Sequence, residues 1–151
     1  MKKKITSYIA NKYTNEDDAM IIMDLKIDNF LAFKNFHMNM AYPKKIVNSY
    51  IPNEHLKDRS NFRYKKVNIL MGSNATGKTS IGKMLMAICN FMKRKDVLGL
   101  IDKVADLEKE ATISIDFVGK SFKMYRLDIE IQPGMDDENL PEIFVCKRIV
   151  T

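Results

Sequence analysis

Residues 72 to 80 read Gly-Ser-Asn-Ala-Thr-Gly-Lys-Thr-Ser, the G-x-x-x-x-G-K-[ST] spacing of a Walker A loop, which suits the gripping of a polyphosphate. A triphosphate is a dense cluster of negative charge, so its binding takes donors that converge with no side chains in the way. Gly72 lets the chain turn sharply, and Gly77 lets the backbone pass close to the phosphates. Between them stand Ser73, Asn74, Ala75 and Thr76, and the amides of residues 74 to 79 can point inward as an anion-binding nest. The positive end of a following helix adds to the same field. Lys78 is expected to reach the β- and γ-phosphates as a point charge, which makes it the candidate catalytic residue. Thr79 offers a hydroxyl to Mg²⁺, and Ser80 backs the α-phosphate side.

Such a loop needs a strand before it and a helix after it. Val67-Asn68-Ile69-Leu70-Met71 is a short, mostly apolar run that predicts a buried parallel strand. Ile81, Leu85, Ile88 and Met92 recur at helical spacing and predict a helix from Lys78 to about Phe91. The expected fold class is α/β: a P-loop NTPase with a partial parallel sheet and P-loop helix, plus an antiparallel β subdomain.

The subdomain follows from period-two runs. Met23, Leu25 and Ile27 alternate with Asp24, Lys26 and Asp28, and Phe36, Met38 and Met40 alternate with His37 and Asn39; together they predict a hairpin. Asp96 is placed to cap a second helix striped by Val97, Ile101, Val104 and Leu107. Ile113, Ile115 and Phe117 run into a turn at Gly119-Lys120. Leu127, Ile129 and Ile131 return, with Phe122 and Met124 out of phase as if at a bulge. Glu142 to Val150 reads as a last strand. The expected organisation is an extension over 1–22 and one domain over 23–151. Within that domain, 41–66 is a basic insertion, 67–92 the strand-loop-helix and 111–151 antiparallel strands.

The chain has 151 residues, 46% hydrophobic and 29% charged, with a formal net charge of +6, which excludes a disordered chain. No apolar run approaches a membrane span. Cys89 and Cys146 show no C-x-x-C spacing and read as buried free thiols in a reducing cytoplasm. Lys44, Lys45, Lys57, Arg59, Arg63, Lys65 and Lys66 stand against Glu54 and Asp58 in the insertion, interleaved with Tyr50, Phe62 and Tyr64, so DNA is a candidate partner.

Hydrolysis at a phosphate loop also calls for an apolar strand that ends in a carboxylate to hold Mg²⁺. Asp116 and Asp128 sit inside alternating runs and read as half-exposed strand positions instead. Asp96-Val97-Leu98-Gly99 matches the GTPase D-x-x-G but follows Lys93-Arg94-Lys95, and no guanine-reading N-K-x-D follows the loop.

Two stretches carry a family resemblance: Leu25-Lys26-Ile27-Asp28-Asn29-Phe30-Leu31-Ala32-Phe33-Lys34-Asn35, and Asn68 through Thr79. Together they resemble the N-terminal portion of ATP-binding-cassette-type ATPases, in the branch of the chromosome-maintenance and recombination-repair ATPases and abortive-infection-type AAA ATPases. The resemblance implies ATP and Mg²⁺ as cofactors. It also implies a second ATPase head, self or supplied by the remainder of a parent chain, to complete the site, and hence a dimer or oligomer. In such families Phe33 or Tyr42 would lie on the adenine side, with core packing the expected role of Phe33. The chain contains neither the acidic pair nor the signature motif of that family. Two other readings stand beside it: a nucleotide or small-molecule kinase with its acceptor site in 41–66, and a non-hydrolytic nucleotide-regulated module that binds DNA or protein.

Overall fold

The computed structural model describes residues 20–42, 50–51, 54–56, 59–73, 77–119, 122–134 and 141–150. These form β1 (Ile21–Asp28), β2 (Phe36–Asn39), β3 (His55–Leu56), β4 (Arg59–Arg63), helix α1 (Lys78–Arg94), helix α2 (Val97–Ile101), β5 (Ala111–Val118), β6 (Met124–Gln132) and β7 (Glu142–Val150). Five strands make one sheet in the order β2-β1-β5-β6-β7, and β3 and β4 make a separate hairpin. Every pairing among the described strands is antiparallel.

The alternation seen in the sequence sets the register. Leu25 stands opposite Ile115 and Ile27 opposite Ile113, while Ile115 and Ile113 face Leu127 and Ile129 on β6. One apolar face results, because period-two side chains share a side across a paired ladder. α1 closes that face with Ile81, Met84, Ala87, Ile88 and Phe91, all buried in one cluster with the sheet residues. Burial of each large side chain there contributes about 1.5–3 kcal/mol. The stripe expected from the sequence is turned slightly: Met84 and Phe91 go to the centre, and Leu85 and Met92 pack at the margin. The helix stops where Lys95 adopts a left-handed backbone and its amide bonds the Phe91 carbonyl at 2.9 Å, with Lys93 and Arg94 beside the negative end of the dipole.

A second, smaller core lies under the β3–β4 hairpin, where Met23, Leu56 and Val118 are buried with Phe62, Tyr64 and Met124 against them. It corrects the reading of Met124 as part of a bulge. β5 and β6 pair without interruption, and Met124 is apolar on the opposite face because the hairpin covers it there. The irregularity falls in β1, between Ile22 and Asp24. The extension expected over 1–22 lies mostly outside the described residues, and β1 begins at Ile21, inside that span.

The fold class read from the sequence is overturned. In place of a parallel-sheet P-loop α/β fold, the chain is an antiparallel sheet with one long helix on its apolar face. Val67 to Met71 lies in no strand. Val67, Ile69, Leu70 and Met71 are exposed, Ile69 by 74% and Met71 by 85%. A buried parallel strand needs neighbours running in its own direction on both edges. Among the described residues every sheet strand pairs antiparallel with its neighbour, and the run joins neither edge of that sheet. The second helix is also shorter than its stripe suggested, ending at Ile101. Val104 leaves it to bridge Phe30.

Candidate phosphate-binding loop

The structure describes Gly72, Ser73, Gly77, Lys78, Thr79 and Ser80 of the expected site; Asn74, Ala75 and Thr76 lie outside the described residues. α1 starts at Lys78 with Gly77 as its cap residue, which makes no side-chain cap bond. The Ile81 amide bonds the Gly77 carbonyl at 3.1 Å. The amides of Lys78, Thr79 and Ser80 therefore come before the first intrahelical donor, that of Ile81. No acidic residue stands in the first turn to compete for them. Lys78 bends back on the loop: its Nζ donates to the Gly72 carbonyl at 2.8 Å and also to that of Ser73. One ammonium thus ties the start of the loop to the start of the helix. Thr79 is exposed on the second residue of the helix.

Gly77 has φ +82°, the left-handed region in which glycine carries no steric penalty. A Cβ there would meet Cε1 of Phe33 at 3.6 Å, so the Phe33 ring backs the loop. Phe33 is buried and lies 4.7 Å from Phe36, centroid to centroid. That agrees with the core role expected for it. The Lys65 ammonium lies 5.7 Å from the ring centre of Tyr42.

Phe33 is held by the turn between β1 and β2. Asn29, Leu31 and Asn35 all have positive φ, and the Asn35 amide donates to the Asp28 carboxylate at 2.8 Å. Asn29 staples this turn to a distant stretch. Its Nδ2 donates to the carbonyls of Asp106 (2.8 Å), Lys109 (3.1 Å) and Glu110 (3.1 Å), and its Oδ1 accepts from the Asp106 amide at 3.1 Å. Asp106 is itself a cap, accepting from the Glu108 amide and the Lys109 ammonium. The bond from Lys109 is the main cause that holds its carboxyl below the ordinary value. Sequence reasoning singled out Asn29-Phe30 only as part of a resemblance. The staple was out of view because its partners lie 77 to 81 residues away.

The acidic strand positions are engaged inside the sheet. Arg126 donates two hydrogen bonds of 2.6 Å to Asp116, and this carboxylate raises the guanidinium above its usual range. Asp128 accepts from Ser114 at 2.6 Å, and His37 Nε2 lies 2.7 Å from Asp24. Asp96 caps α2 through the Gly99 amide at 2.9 Å, the role expected for it. The two thiols depart from the buried state expected: Cys89 is half-buried, and Cys146 is exposed on the solvent side of β7.

Compared with models of known protein families, with curated proteins and with solved structures, the chain matches none. Its class is defined by its own geometry: an antiparallel β-sheet backed by a long helix, with a glycine-bounded, lysine-bearing loop at that helix's N-terminus. Among the described residues, no helix is long and apolar enough to cross a membrane.

Proposed function

We propose that residues 72–80 bind the triphosphate of ATP together with Mg²⁺, as the nucleotide-holding part of an ATPase. The observation that carries this reading is a glycine-started helix N-terminus, with no acid in its first turn and the Lys78 ammonium drawn over to Gly72 and Ser73. Donors and positive charge gathered at one helix end favour an anion. On this reading Lys78 exchanges carbonyl partners for phosphate oxygens, and Thr79 contributes a ligand to the metal. Bound Mg²⁺ would neutralise charge between the phosphates. Asp116 and Asp128 are engaged with Arg126 and Ser114, so the metal-holding carboxylate is assigned to a second ATPase head. The compartment implied is the cytoplasm.

Calorimetric titration with Mg-ATP tests the reading. In Lys78→Ala we expect affinity to fall about tenfold or more, the worth of one charge-assisted contact, with the thermal midpoint little changed. Unaltered affinity in that variant would remove the assignment.

A further inference from the structure

The basic insertion and the β5–β6 turn, distant in sequence, meet at one groove of about 530 Å³. It is lined by the apolar Phe62, Phe122, Met124, Ile149 and Val150 together with the basic Arg59 and Lys123. A second hollow of about 440 Å³ shares Arg59 and Phe62 and extends the groove past Ser60 and Asn61. Phe122 is 43% exposed and is held at φ +53° in a turn closed by its amide on the Gly119 carbonyl at 3.0 Å. A bulky residue in that region is an outlier that local packing does not favour. The turn spends backbone strain to present an aromatic face outward.

The charged residues that line the two hollows, Arg59 and Lys123, are both basic. Residues 59 to 66 read Arg-Ser-Asn-Phe-Arg-Tyr-Lys-Lys, with no acid. Neither Arg59 nor Lys123 enters an ion pair among the described residues. The carboxylates of the adjoining sheet face are engaged, Asp116 by Arg126 and Asp24 by His37. Two cations, Arg59 and Lys123, beside the exposed ring of Phe122 and the partly exposed Phe62 fit a chain of negative charges joined to planar groups. An acidic peptide would answer the charge but leave the rings without stacking partners.

We propose that this groove binds single-stranded nucleic acid. Bases stack on Phe122 and Phe62 while Arg59 and Lys123 track the phosphates. None of the described residues of 72–80 lines either hollow, and the inference stands whether or not that loop takes ATP.

The test is fluorescence anisotropy of the full chain with a labelled 20-nucleotide deoxythymidine strand, measured from low to moderate salt. The same oligomer as a duplex and a labelled poly-glutamate peptide serve as competitors. We expect binding that falls with salt and is displaced poorly by either competitor. Phe122→Asn keeps a left-handed-tolerant residue, so its thermal midpoint should hold or rise while affinity drops roughly 5- to 100-fold, the range for loss of one stacked base. Arg59→Ala and Lys123→Ala should each lower the slope of log affinity against log salt by about 0.7. Lys78→Ala should bind the strand as the parent does. Three results would overturn the proposal: no binding at low salt, equal displacement by poly-glutamate, or full affinity in Phe122→Asn. A fall in affinity that tracks a fall in the thermal midpoint of Phe122→Asn would reduce that ring to a packing role, and would overturn the proposal equally.

Discussion

Gly77 and Phe33 show how one backbone angle and one ring define the loop. At φ +82° only glycine is unstrained, and the Phe33 ring approaches to 3.6 Å of where a Cβ would stand. That distance is an ordinary contact, so Gly77→Ala should be costly through its backbone and not through a clash. We expect a loss of about 1 kcal/mol in stability, read by urea denaturation, together with weaker Mg-ATP binding in the same titration. Stability reduced by several kcal/mol would mean that the ring cannot yield. Asn29 matters in the same way, combining a positive φ with four side-chain bonds to Asp106, Lys109 and Glu110. Asn29→Ala should lower stability by about 2–3 kcal/mol, since each such bond contributes about 1 kcal/mol and alanine resists the left-handed backbone. A loss below about 0.5 kcal/mol in chemical denaturation would show that water replaces those bonds without penalty.

Among the elements, the short connection from Val104 to Glu110 joins α2 to β5 and is organised by Asp106. Its carboxyl lies below the ordinary value of 3.8, chiefly through the Lys109 bond. A group whose acidity rises on folding adds stability above its unfolded pKa, and that contribution is lost as pH falls through the folded value. Asp106→Asn should therefore be less stable than the parent near neutrality, and the gap should close in melts run progressively below pH 3.8. A constant gap down to strong acid would exclude the charge as its source. The strands were legible because alternation is local: Leu25 and Ile27, Ile113 and Ile115, and Glu142 to Val150 all fall where period two places them. Met23, in phase with Leu25 along the sequence, and Met124, out of phase with Leu127, were not legible as parts of a second core. Their cover comes from the β3–β4 hairpin, which composition alone presents as a polar insertion.

For the molecule as a whole, Val67 to Met71 is the feature most at odds with its own composition, an apolar run left facing solvent. Exposed strand-forming residues seek an edge to pair with, opposed only weakly by a net charge of +6. We expect sedimentation velocity to show association that grows with concentration and is reduced by Ile69→Lys; a single monomer across the range would contradict it. By itself the sequence determined the glycine and lysine spacing from Gly72 to Ser80, the long helix that follows and the period-two strands, because each depends on neighbours within a few residues. Only the tertiary structure decided which strands pair and in which direction, that the apolar run before the loop stays outside the sheet, and that Asn29 and Phe33 brace the site. Those outcomes depend on partners far along the chain, and a run apolar on every side carries no mark of what will lie against it.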